Sequence, residues 1–346
     1  MTLIFFYLRK FFTILKNEVF VLPYRVAVLL FFAILLLLPL FTDDPYLLRI
    51  MTLTSIFAIL AASWDLLSGF TGQMNFGHAL FFGVGAYGAA LLNKYTGLPP
   101  WGAIPLGALA AVSAGLIIGI PCLRLRGTYL ALTTLAFPII LLGIVFAIPD
   151  LTGGELGISG IARLARSRIT SYYIAVVVML GLCTLMWKIT DSKIGIIFHA
   201  IREDELAVRA SGINTTRYKL LAFSLSGFFA GISGGLYAHF MRIAGPSTLE
   251  VSLSFQVVIW AIFGGIATIY GPVGGVFVLF PLMEVLRFWQ DYRILMFACI
   301  VLLILLYMPD GLFRWLREKT EKECPRCKIR NVALRETCRI CTASLD

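Results

Sequence analysis

Long apolar runs separated by short polar breaks organise this 346-residue chain. Ten runs read as helices: Tyr24 to Phe41, Leu47 to Leu67, Ala79 to Leu92, Gly102 to Cys122, Thr128 to Ile148, Tyr172 to Lys188, Leu220 to Phe240, Val257 to Ile269, Gly274 to Leu286 and Ile294 to Met308. A bilayer core of about 30 Å needs about 20 helical residues. The third, eighth and ninth runs fall short of that. Backbone polar groups find no water in lipid, so spanning segments close their hydrogen bonds internally as helices. The alternating ten-residue pattern of a membrane barrel is missing. The pattern predicts an all-α membrane protein with about ten transmembrane helices, some broken or short. The membrane domain covers residues 24–311. Residues 1–23 precede it and a small tail, residues 312–346, follows.

Composition agrees with this reading: 59% of residues are hydrophobic and 14% charged, with a mean hydropathy of +0.89. The net charge of +10 follows the topology. With the N-terminus inside, alternation through ten spans leaves only Arg49, Lys94, Arg163, Arg166, Arg168, Arg242, Arg287 and Arg293 outside. The excess of Lys and Arg on the other face predicts both termini in the cytoplasm. It gives no sign of a nucleic-acid partner. In the first 20 residues, aromatic and aliphatic side chains interleave with Arg9, Lys10 and Lys16, and no small-residue cleavage site follows. This reads as an interfacial amphipathic helix or as a basic tail before the first span.

The longest polar interruption is Arg202 to Lys219, REDELAVRASGINTTRYK, within a cytoplasmic segment over residues 189–219. It predicts a short helix with Glu203, Asp204 and Glu205 in its first turn and Arg209 near its end, which suits the helix dipole. Glu205 and Arg209 are spaced to pair. Gly212 follows where a left-handed cap is wanted. Such a helix is a handle for a soluble partner. A solvated loop with good helix chemistry would look the same.

Two glycine-rich breaks stand out, Ser68 to Gly88 and Phe263 to Gly275. Gly72 and Gly77 in the first correspond to Gly265 and Gly271 in the second. Broken helices are tolerated in a membrane where they face protein or a water-filled path, and paired breaks in two halves point to a substrate route. The translocation set is therefore Gly72, Gln73, Asn75, Gly77, His78, Gly264, Gly265 and Gly271. Close helix packing through Gly and Ala is the rival explanation. His78 has no Cys, His or carboxylate close by in sequence to share a metal. Asp65 and Glu284 are the carboxylates nearest apolar spans. Such groups are functional candidates, although Glu284 precedes Arg287 by three residues and suits a local ion pair.

No GxxxxGK[ST] phosphate loop occurs, so ATP is not bound by that route. Cys122, Cys183 and Cys299 are isolated in apolar spans. Cys324, Cys327, Cys338 and Cys341 form two CxxC knuckles, a pattern suited to structural zinc. Cationic neighbours favour the thiolates. A redox pair or metal-free cysteines are the alternatives.

Five stretches carry a family resemblance: WDLLSGFTGQMNFGHALFFGVGAYGAALL, LRLRGTYLALTTLAF, LTGGELGISGI, AIREDELAVRASGINTTRYKLLAFSLSGFFAGISGGLYAHF and FGGIATIYGPVGG. From about Asp65 to Gly311 the chain resembles the LivM-like permease subunits of branched-chain amino-acid ABC importers. The resemblance implies a non-catalytic subunit of a prokaryotic inner or plasma membrane that works by alternating access. It implies a heterodimer with a second, related permease, two cytoplasmic ATPase subunits that bind the ATP, and an external solute-binding protein. It also assigns ATPase coupling to Arg202, Glu203, Asp204, Glu205, Arg209 and Gly212. Glu205, Ala207 and Gly212 are loosely similar to the Glu-Ala-Ala…Gly motif of ABC importers, and Leu206 departs from it. Related permeases also serve urea and short amides. The zinc-ribbon-like tail is foreign to the usual permease pattern. Two other classes remain: a secondary transporter or channel for small polar solutes such as urea or amides, and a membrane-anchored regulator or scaffold working through its zinc tail.

Overall fold

The structure, a computed structural model, describes residues 23–122, 125, 127–288, 292–327, 330–333, 335–338 and 340–344. Residues 1–22 of the expected interfacial segment lie outside the described residues. Every expected apolar run carries a helix: α1 (Pro23–Phe41), α2 (Pro45–Trp64), α3 (His78–Thr96), α4 (Pro100–Cys122), α5 (Thr128–Ala147), α6 (Arg168–Thr190), α9 (Thr215–Met241), α10 (Val251–Gly264), α11 (Tyr270–Val285) and α12 (Arg293–Tyr307). Between α6 and α9 lie α7 (Lys193–Glu203) and α8 (Glu205–Ala210). Among the described residues six helices are long and apolar enough to cross a membrane; α10 and the apolar parts of α1 and α12 are shorter. The chain is an all-α membrane protein.

Two compact units divide it, Asp44–Gly311 and Met1–Asp43 with Leu312–Asp346. In the second unit α13 (Leu312–Thr320) touches α1 and leads into an antiparallel strand pair, β3 (Glu321–Glu323) with β4 (Arg330–Val332). Lys319 Nζ lies 4.0 Å from the centre of the Trp315 ring.

Helix α2 is the axis of the larger unit. Of its most apolar window 83% is buried, against 28–61% for the other five long helices. It packs on α6, α9, α10 and α11. Its small polar residues make this possible. Thr52 and Thr54 return their hydroxyls to the carbonyls of Leu48 and Ile50, so neither hydroxyl is stranded in the core. Across the α2–α9 contact, Ser226 donates to the Ser63 carbonyl and Ser233 to that of Ile56, both at 2.7 Å. Seven residues forward on α9 match seven backward on α2, so the helices are antiparallel and locked in register.

A second contact group, α3 with α4 and α9, is built on small residues. A Cβ at Gly85 would fall on the Gly231 carbonyl, and one at Gly231 would come within 2.8 Å of Ala108 Cα. Lipid tails are as apolar as leucine, so close backbone approach and dispersion hold such helices together.

At one end of this unit β1 (Ile158–Ser159) pairs with β2 (Ile243–Ala244), and His239 Nδ1 lies 2.8 Å from the Ala162 carbonyl. Glu284 accepts from Arg287 and Tyr46 at 3.0 Å each, which is the local ion pair expected from their spacing. Gly231→Ala is expected to cost about 1–3 kcal/mol through overpacking. Gly143→Ala, whose Cβ meets nothing within 4 Å, is expected to be neutral or slightly stabilising. Thermal unfolding of the detergent-purified variants checks the difference.

Candidate functional site

The two predicted breaks come together. Helix α2 ends in a π-helical turn, Asp65–Gly69, and the chain then turns back through residues 72–77 before α3 starts. Helix α10 stops at Gly264 and is capped by Gly265; α11 starts at Tyr270 with Gly271 in its first turn. Asp65 is fully buried. Its Oδ1 accepts from the Ala267 backbone N–H at 2.7 Å and its Oδ2 from that of Thr268 at 3.0 Å. A side chain of the first break thus holds the backbone of the second.

Gly69 makes room for that contact. A Cβ there would strike Asp65 Oδ1 and come within 2.8 Å of the Ala267 nitrogen. The extra residue of a π turn commonly marks a functional position in a helix.

The first break satisfies its polar groups within the chain. Trp64 Nε1 donates to the Asn75 carbonyl at 2.6 Å, the Asn75 N–H to Ser68 Oγ, the Gly77 N–H to Asn75 Oδ1 and the Phe76 N–H to Thr134 Oγ1. Ser63 gives its proton to the Leu60 carbonyl. His78 Nε2, 2.9 Å from Ser63 Oγ, is therefore the donor there. His78 Nδ1 is left to accept from Asn75 Nδ2 at 3.4 Å. Gln73, Asn75, Gly77 and His78 are buried, while Gly72 is exposed. The Oε1 of Gln73 has no protein partner. Gly264, Gly265 and Gly271 are also buried, and the Thr268 hydroxyl donates to the Gly265 carbonyl at 2.7 Å.

The polar interruption lies against the same end of the unit. One continuous helix from Arg202 is replaced by two. Arg202 and Glu203 finish α7, and Asp204 is extended (φ −152°, ψ 101°) and caps α8. Its carboxylate accepts from the N–H groups of Leu206 and Ala207 at 2.8 and 3.1 Å. That local cap outcompetes helix continuation, as Asp commonly does. Gly212 closes the turn with φ +81°. Glu205 and Arg209 pair at 2.6 Å as expected. Sequence reasoning missed the other partners of Glu205: Lys219 Nζ reaches Oε2 at 2.6 Å and Thr215 Oγ1 reaches Oε1 at 3.2 Å. Arg202 Nη1 donates to the Gly69 carbonyl at 2.6 Å, so the segment grips the first break directly.

Asp65, a candidate carboxylate in the sequence, lay outside the translocation set, and Gly69 was not singled out. Their signal is visible in hindsight, an aspartate in an apolar run with glycine four residues on, one turn along the same face.

In the tail, the sulfur atoms of Cys324, Cys327, Cys338 and Cys341 lie within 4.8 Å of one another. Cys324–Cys341 and Cys327–Cys338 are each 3.5 Å apart, too far for disulfides. Four thiolates at about 2.3 Å from a zinc ion stand about 3.8 Å apart, so the cluster has the size of a tetrahedral metal site. The backbone N–H groups of Cys341 and Ile340 hold the Cys338 thiol down to about 6. That of Cys327 leads in lowering Cys324.

Burial raises the pKa of Glu205, but Lys219, Arg209 and Thr215 outweigh it and hold the group below its ordinary 4.5. A depressed carboxylate stabilises the fold above its unfolded pKa, and that support is lost as acid titrates it. Amide exchange over residues 204–219, taken relative to the intrinsic rate at each pH, is expected to be slow at pH 7 and to quicken below about pH 4.5. Lys219→Met is expected to quicken it already at pH 7, at a cost on the order of 1 kcal/mol, because Arg209 and Thr215 still cover one oxygen.

Comparison with known proteins matches residues 46–308 to the family described as branched-chain amino acid transport system / permease component. The chain is 30% identical over 313 residues to the high-affinity branched-chain amino acid transport system permease protein LivM of Escherichia coli (strain K12), covering 82% of this chain and 72% of that one. It is 26% identical over 226 residues to the probable branched-chain amino acid transport permease protein LivH of Methanocaldococcus jannaschii, covering 60% and 70%. It is 26% identical over 254 residues to the ribose import permease protein RbsC of Haemophilus influenzae, covering 71% and 77%. No solved structure matches. The family match spans nearly the whole Asp44–Gly311 unit, and this chain belongs to the branched-chain amino acid transport system / permease component family.

Proposed function

We propose that the chain is the transmembrane permease subunit of an ABC importer and carries branched-chain or related amino acids by alternating access. It is a non-catalytic transport component, and ATP is hydrolysed in partner subunits. The observation that carries this reading is the docking segment: a capped, charge-paired α8 joined through Arg202 to the broken helices. A channel or secondary transporter has no use for such an element, and an anchor has no use for paired breaks.

Its partners are a second, related permease, two cytoplasmic ATPases and an external solute-binding protein. The match to a permease named for ribose supports a scaffold that serves several solute classes, with selectivity set largely by the binding protein. Both termini are cytoplasmic on the charge asymmetry, and the breaks lie on the route of the solute. The tail holds structural zinc through its four cysteines.

Purification in mild detergent from the native membrane is expected to recover two ATPase chains and a second permease. An Asp204→Ala, Glu205→Ala double variant is expected to lose or weaken them, since loss of the cap alone costs about 1 kcal/mol. Recovery of only self-associated chain would overturn the importer reading. Elemental analysis is expected to find one zinc per chain, abolished by Cys324→Ser with Cys338→Ser. Metal-free wild-type protein would remove zinc from the account.

A further inference from the structure

We propose that Asp65 is the positioning residue that ties ATPase docking to rearrangement of the second broken helix, a role that rests on the importer reading. The connection is continuous. Arg202 stands two residues before the Asp204 cap of the docking helix. Its guanidinium holds the Gly69 carbonyl, and its stem lies against Gly72, where an added Cβ would come within 3.3 Å of Cγ. Gly69 closes the π turn that Asp65 opens. Asp65 fastens both carboxylate oxygens to successive N–H groups of Ala267 and Thr268.

Three features give this contact two settings. Ala267 has φ +59°, a left-handed conformation that costs a residue with a Cβ about 1–2 kcal/mol. The bidentate grip holds it there. The carboxylate is fully buried, and a buried charge is tolerable only while hydrogen-bonded, so the contact is either made or replaced wholesale. Among the described residues the other hydrogen bonds of Thr268 are local, its hydroxyl to the Gly265 carbonyl and its carbonyl from the Gly271 N–H, and the rest of the break is held by close packing of Gly264 on Gly271 and of Gly311 on Gly265. When the docking segment shifts, Arg202 draws on Gly69, the Asp65 carboxylate moves with its turn, and residues 265–269 follow or are released. Arg202 and Asp65 therefore act in series, through backbone that carries no charge of its own.

The test uses the whole complex in vesicles: both permeases, the ATPases and the binding protein. The readout is substrate transported per ATP hydrolysed, which a merely destabilised complex does not change. Asp65→Asn keeps the shape but provides one accepting oxygen for two N–H groups. It is expected to assemble and hydrolyse ATP while transport per ATP falls about tenfold, the size of one lost charged hydrogen bond. Arg202→Met keeps the stem and removes the Gly69 bond at the unit's edge, away from the buried core. It is expected to lower the same ratio, by about threefold. It decides the matter if Asp65→Asn fails to assemble. Asp65→Glu, one methylene longer in a space closed by Gly69, is not expected to rescue. An unchanged ratio in Arg202→Met, or in an assembled Asp65→Asn, overturns the link and leaves the importer reading standing. A wild-type complex that moves substrate without consuming ATP overturns the importer reading itself.

Discussion

A backbone polar group at membrane depth must find a partner inside the protein, and the rest of this structure answers to that constraint. An unbroken helix meets it without help. The segments around residues 72–77 and 265–269 are not helical, so each loses ladder hydrogen bonds. An unmet group costs about 1–3 kcal/mol, and several together would rival the stability of a domain. The two breaks meet the demand differently. The first borrows side chains from its neighbours, Ser68, Thr134 and its own Asn75. The second takes most of its support from one carboxylate on another helix.

That asymmetry has consequences for motion. Where many neutral hydrogen bonds share the work, no single one decides the conformation. Where a buried carboxylate does it, loss of the contact exposes two donors and a charge together, and intermediate positions are disfavoured. The larger unit accordingly combines two kinds of material. The α3–α4–α9 group is packed backbone to backbone at Gly85 and Gly231, and close-packed interiors resist continuous deformation. The α10–α11 turn adds to such packing, at Gly264 against the Gly271 carbonyl, two directional bonds from a single carboxylate. A permease needs both, a frame that keeps its shape and an element with a discrete choice.

Much of the fold was legible in the sequence because lipid makes the rule simple: long apolar runs become helices, and all ten expected runs carry one. The Glu205–Arg209 pair and the Gly212 cap were legible because they are local, within one turn. Contacts across long sequence separations were not. Nothing in the spacing of Asp65 and Ala267, 202 residues apart, announces that they touch, and Lys219 looked like one more positive-inside charge before it paired with Glu205. The division of the expected docking helix at Asp204 was a misjudged competition. Asp204 was counted as a dipole-favouring residue of the first turn, whereas its side chain serves better as the cap.

The docking segment and the carboxylate contact solve opposite problems with the same chemistry. Around Glu205, two cations and a hydroxyl surround one carboxylate at the unit's surface, where side-chain exposures of 11–47% let water share the charge. That network joins the Asp204 cap and the packing of α8 on α7 and α9 in holding a six-residue helix that propensity alone would not. Around Asp65 the donors are two uncharged N–H groups and the carboxylate is fully buried, so the contact is selective for geometry and intolerant of substitution. In the proposed role, a handle at the surface and a geometry-sensitive clasp in the interior, joined by one arginine, let force applied to the first be read as a change of state at the second. The arginine suits the junction for a physical reason. Its guanidinium offers several N–H donors in a fixed fork at the end of a long stem, so it reaches the Gly69 carbonyl while the stem lies against Gly72.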